Sequence, residues 1–148
     1  MIKLLSLLLF VSVSLSAVSF WTLTGITKAN IYIVNEVAYL NPETVTKTKE
    51  KMTQTLHKLG IKTEQQDSPT LMITFTDIEN DDTHYVYTQL AFGEEVQTFR
   101  DDKSSAFALT FLVNDFIDVD ADELNSETLE SVDYVLAKFT EQFKEDKE

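Results

Sequence analysis

Three aspartates at alternate positions, Asp118, Asp120 and Asp122, followed directly by Glu123, form the densest set of hard oxygen donors in the chain. Their spacing matches the first half of a calcium-binding loop, in which several carboxylates converge on one ion. The second half departs from that pattern. Glu123 stands where the sharp turn needs glycine, and Leu129 stands where the bidentate glutamate belongs, with Glu130 one place late. These aspartates are the candidate metal ligands. An acidic connector leading into the last helix, where negative charge is favoured near the N-terminus, accounts for them without an ion.

Other chemistries find few residues to work with. His57 and His84 are the only histidines, too few for a multi-histidine metal site. A Ser–His–Asp arrangement drawn from Ser104 or Ser105, His84 and Asp82 lacks the Gly-x-Ser-x-Gly turn that presents such a nucleophile. Arg100 is the single arginine, so no arginine cluster can clamp a phosphate or carboxylate. Three glycines in total cannot build a nucleotide-cradling loop, and zero cysteines remove thiol catalysis, iron–sulfur clusters and disulfide scaffolds. Paired carboxylates are chemically possible with 25 Asp and Glu, but that abundance makes any pair uninformative. With 12 Lys and Arg the formal charge is −13, which repels phosphate and argues against nucleic acid as a partner. The expectation is a protein without a cofactor and without catalytic activity. Tyr85, Tyr87 and Phe92, on one long strand, are the candidate partner surface, with packing under the helices as the alternative for the same rings.

The elements that must position these residues emerge from periodicity. Ile31 to Leu40 reads as a strand with Ile31, Ile33 and Val37 on one side. It ends at Asn41-Pro42, a cap and a first helical residue, and the next helix carries Val45, Met52, Leu56 and Leu59 before Gly60 stops it. A polar link, Lys62 to Pro69, leads to three strand-like runs: Thr70 to Ile78, Tyr85 to Phe99 with Gly93 in its middle, and Ala106 to Val113. The last run places Phe107, Leu109, Phe111 and Val113 on one face, a core pattern. An acidic connector, Asn114 to Ser126, precedes a helix with Leu129, Val132, Leu136, Phe139 and Phe143 in one stripe. The expected fold is α+β: a four-stranded, mostly antiparallel sheet with two helices on one face, in the order β-α-β-β-β-α. In topology alone this order resembles small periplasmic accessory domains of envelope-assembly proteins, such as the lipopolysaccharide-assembly lipoprotein type, although the lipid-bearing cysteine of that type is missing.

The first residues read as an address rather than as part of the fold. Lys3, the apolar run Leu4 to Leu15 and the small residues Ser16 to Ser19 have the three-part layout of a signal peptide, with cleavage after Ala17, Ser19 or Ala29. An uncleaved membrane anchor over residues 4–27 is the alternative, since that stretch contains no charge. The chain is thus expected to divide into a leader, 1–29, and one exported domain, 30–148. Export without any cysteine, and without an Asn-x-Ser/Thr acceptor at Asn30, Asn35, Asn41, Asn80, Asn114 or Asn125, points to a bacterial periplasm. The leading expectation is an exported module that binds a protein partner or an envelope component through its sheet face or edge. The alternatives are a small-ligand or cation-binding protein using the acidic connector 115–123, and a carboxylate-based hydrolase.

Overall fold

A computed structural model describes residues 21–38, 40–63, 69–80 and 83–147, with backbone alone for 78–80, 83 and 84. Residues 1–20 of the expected leader 1–29, residues 64–68 of the polar link and the turn residues Asp81 and Asp82 lie outside the described residues. The elements are β1 (Lys28–Asn35), α1 (Pro42–Lys58), β2 (Lys62–Thr63), β3 (Thr70–Asn80), β4 (Thr83–Gln97), β5 (Ser105–Asp120) and α2 (Leu124–Glu145). The fold is α+β, with the antiparallel β3–β4–β5 meander and the two helices in place.

The sheet corrects the expectation of four mostly antiparallel strands. It has five strands in the order β2-β1-β3-β4-β5, and β1 runs parallel to both neighbours. The physical cause is α1. A helix after a strand returns the chain to the end where that strand began, so the next strand can pair with it only in parallel. Lys62 and Thr63 do so at once, opposite Lys28 and Ala29. Two residues are too few to show any period in a sequence.

Both helices lie on one face and run parallel to each other. At their N-termini, Asn41 caps α1 by accepting the Thr44 N–H at 2.7 Å. Asn125 of α2 accepts from the Asn41 N–H at 3.0 Å and from the Thr44 hydroxyl at 2.9 Å, tying the two starts together. Further along, Lys51 donates to both oxygens of Asp133 at 2.7 and 2.8 Å. Beneath the helices, Leu71, Ile73 and Phe75 of β3 and Val86, Leu90 and Phe92 of β4 are fully buried. The Phe139 ring of α2 sits among Phe111 (5.4 Å between centroids, edge-on), Phe92 (6.2 Å) and Phe143 (6.4 Å). Each such side chain contributes about 1.5–3 kcal/mol when fully removed from water. In α1 the buried stripe is Thr44, Thr48, Met52 and Leu56, with Val45 and Leu59 half-buried at its sides.

Two further expectations change. Strict alternation puts Phe107 and Leu109 with Phe111 and Val113 on the core face, yet they are 60% and 41% exposed. A β-bulge is the reason: Phe92 pairs with Phe111 but Gly93 pairs with Leu109, so Thr110 is an extra residue and everything before it changes sides. The Phe107 ring then lies directly over Gly93, where any Cβ would push that ring aside. The acidic connector is also shorter than expected. β5 continues to Asp120, because Val113, Ile117 and Val119 alternate with exposed positions through Asp120, and only 121–123 form the turn.

Residues 21–27 are part of the folded unit. Leu23 and Ala29 are buried in the core, Trp21 and Ile26 pack at its edge, and the Leu23 N–H donates to the Asp146 carboxylate beyond α2. The Thr22 N–H bonds to the Thr110 carbonyl on the outer edge of β5 at 2.8 Å, and the Lys62 N–H bonds to the Thr27 carbonyl at 2.9 Å. This strap closes the end of the helix–sheet layer where both helices finish.

Candidate functional site

The strand register assigns every described sheet residue to a face. On the outer face, turned away from the helices, Tyr32, Met72, Ala91 and Leu112 form one cross-strand row. Val34, Thr74, Gln89 and Asn114 form the next, and Thr76, Tyr87 and Phe116 the one after. Tyr85 and Asp118 come next. Both helices pack on the other side, so among the described residues no element covers this face.

Two apolar areas result, separated by the polar Thr74–Gln89–Asn114 row. One is built on Tyr85, Tyr87 and Phe116. The Tyr85 and Phe116 rings stack with centroids 5.9 Å apart and planes within 15°, Phe116 remains 57% exposed, and Gln89 donates to the Tyr87 hydroxyl at 2.9 Å. Asp118 and Asp120 stand exposed beside the stack. The other area runs from Tyr32, Met72 and Leu112 to Leu109 and Phe107 near the strap.

The sequence-derived residues fare differently. Tyr85 and Tyr87 share the outer face and are half-buried there. Phe92 does not join them: it is completely buried on the opposite face against Phe139, because an even-numbered residue of β4 points inward where Tyr85 and Tyr87 point outward. Phe116 takes its place, and the two-residue alternation of the acidic stretch carries the signal for it. Asp118 and Asp120 project from one strand face about 7 Å apart along the strand, and Asp122 lies in the turn beyond it. Among the described residues no group of three His, Asp or Glu side chains converges to hold a metal. His57 hydrogen-bonds Thr63 at 3.2 Å on the surface, and Ser104 bonds Thr98 in the β4–β5 turn. The side chains of His84 and Asp82 lie outside the described residues.

An open groove of about 450 Å³ lies between the solvent sides of α1 and α2, lined among others by Lys51, Lys58, Leu59, Asp133, Leu136 and Lys144. Its walls carry one ion pair and aliphatic carbon, with lysines near the C-terminal ends where they complement the helix dipoles. On the helix surfaces, the hydrogen bond and charge of Lys47 hold the Glu43 carboxyl below its ordinary value. Those of Glu141 hold the Lys138 ammonium above its own.

Cations gather at one end of the molecule, interspersed there with Glu94, Glu95, Asp101, Asp102, Glu145 and Asp146. Lys28, Lys58, Lys62, Lys144 and Lys147 lie at strand and helix ends on the strap side, with Arg100 and Lys103 in the β4–β5 turn nearby. The opposite end, where the helices begin, holds Glu43, Asp118, Asp120, Asp122, Glu123 and Glu127. Comparison with protein-family models and with curated proteins returns no match for this chain.

Proposed function

We propose that the protein is an exported, non-catalytic envelope module, periplasmic in location, that binds a protein partner through the outer sheet face around Tyr85, Tyr87 and Phe116. The observation that carries this reading is the Tyr85–Phe116 stack, exposed on a sheet face that no described element covers and bordered by Asp118 and Asp120. Stacked, half-exposed aromatic side chains supply large contact area at little entropic cost, which is why they recur as binding anchors. The acidic border selects a partner segment that brings apolar side chains together with Lys or Arg. Leader removal after Ala17 or Ser19 is favoured over removal after Ala29, because the later cut takes Leu23 and Ala29 out of the core.

The test is in-cell photocrosslinking from position 116, with adducts identified by mass spectrometry. One dominant envelope protein should be captured, and Tyr85→Ala or Tyr87→Ala should reduce its yield several-fold while leaving the folded circular-dichroism spectrum intact. A capture yield indifferent to both substitutions removes the reading. So does loss of the fold in both variants, which would make the rings structural.

A further inference from the structure

We propose that the β4–β5 ribbon is a membrane-contacting element, and that the strap end of the domain faces a lipid bilayer. β3 begins at Thr70, opposite Gly93, so among the described residues no third strand lies beside the pairs from Glu94–Ala108 to Gln97–Ser105. Four pairs at about 3.4 Å per residue make a ribbon projecting roughly 13 Å before its turn. Phe99 stands fully exposed in that turn, Phe107 is exposed on the ribbon's outer face, and Leu109 is exposed at the ribbon's base opposite Gly93. A two-stranded ribbon gains little internal packing from such side chains, and apolar groups gathered on a projection are a liability in water alone.

The chain's own course names the occupant. The run Leu4 to Phe20 is uncharged and largely apolar, and it joins the described structure at Trp21, next to Thr22, which bonds to Thr110 at the base of this ribbon. While that run remains attached and inserted in a bilayer, as an uncleaved anchor or before leader removal, it holds the ribbon at the lipid surface. Charge agrees with that placement. Arg100 and Lys103 are offset by Asp101 and Asp102 in the turn, and Glu94 and Glu95 leave the ribbon itself acidic, but Lys28, Lys58, Lys62, Lys144 and Lys147 around its base, against Glu145 and Asp146, bring the strap end close to balance. The strongly acidic end points away, the arrangement with the least repulsion from anionic headgroups. Phe99 beside Arg100 in the turn, with Phe107 on the outer face, supplies the apolar side chains of an interfacial anchor.

Because the chain contains no cysteine, single reporter sites can be introduced cleanly. The full chain is reconstituted into phosphatidylcholine vesicles containing phosphatidylglycerol and nitroxide-bearing lipid. A fluorophore is placed on Ser105→Cys in the ribbon or on Asp122→Cys at the opposite end. The Ser105→Cys probe should lose most of its fluorescence and the Asp122→Cys probe should keep it. Adding Phe99→Glu, an exposed change that spares the fold, should restore much of the lost signal. Equal quenching at both sites overturns the proposal, as does no response to Phe99→Glu or failure of the chain to sediment with vesicles. Shielding at Ser105→Cys that appears only with added envelope protein overturns it in favour of a protein partner. The partner reading at Tyr85, Tyr87 and Phe116 survives any of these results, since its own test reads a different face.

Discussion

Thr88 and Ser131 each bury a hydroxyl without a hydrogen-bond partner among the described residues, Thr88 under the helices on β4 and Ser131 on the facing side of α2. A buried donor left unpaired costs more than the same volume filled by carbon. Thr88→Val keeps the shape and removes the hydroxyl, so urea denaturation should show a gain of about 1 kcal/mol. A loss instead would reveal a bound water bridging that position. Individual residues were partly legible in the sequence. The two-residue period places Tyr85 and Tyr87 on the face opposite Val86 and Leu90, as the structure has it. Grouping Phe92 with them by ring type ignores that same period, and burial against Phe139 is the consequence. The aspartates teach a different lesson. Asp118 and Asp120 resemble the start of an ion-binding loop only if the chain curls there, whereas Ile117 and Val119 between them require an extended strand with both carboxylates projecting in parallel.

The strap shows what element boundaries owe to tertiary structure. Residues 21–27 have no helical or strand period, and their uncharged sequence continues the apolar run before them, so composition assigns them to a leader. Tertiary contacts bind them to the domain, among them the buried position of Leu23, its bond to Asp146 and the Thr22–Thr110 and Lys62–Thr27 bonds. Leu23→Ala should cost about 2–5 kcal/mol, the range for a buried leucine whose cavity cannot fully collapse, measured by thermal or urea unfolding. A domain beginning at residue 30 should melt well below one beginning at Trp21. If both melt together, the strap contributes nothing to the core. The other unforeseen element, β2, is legible only after α1 is known to return the chain beside β1, because two residues carry no pattern of their own. The existence of the two long helices and of the β3–β4–β5 meander was legible in periodicity, as were Val132, Leu136, Phe139 and Phe143 of the α2 stripe, whereas Leu129 is half-buried and Leu124 and Val135 join the buried side.

Across the whole molecule, net repulsion outweighs the visible ion pairs. Glu43–Lys47, Lys51–Asp133 and Lys138–Glu141 lie on the surface, where such pairs are worth about 0–1 kcal/mol each, against a formal charge of −13. Raising sodium chloride to about 0.5 M should therefore raise Tm, because screening relieves more repulsion than attraction. A fall in Tm would show that the surface pairs dominate. The sign for Glu43 is fixed by its lowered folded value: its contribution is present at neutral pH and disappears as pH falls through that value. Full exposure keeps it small, so Glu43→Gln should leave the neutral-pH melt indistinguishable from the parent. The contact between Leu23 and Asp146 has one more consequence. It brings the first and last parts of the fold within a single hydrogen bond, so the backbone almost closes on itself. A short peptide joining the two would make the domain a ring, and opening that ring at the exposed turn 121–123 should yield a circular permutant with the same core and new ends at the acidic pole.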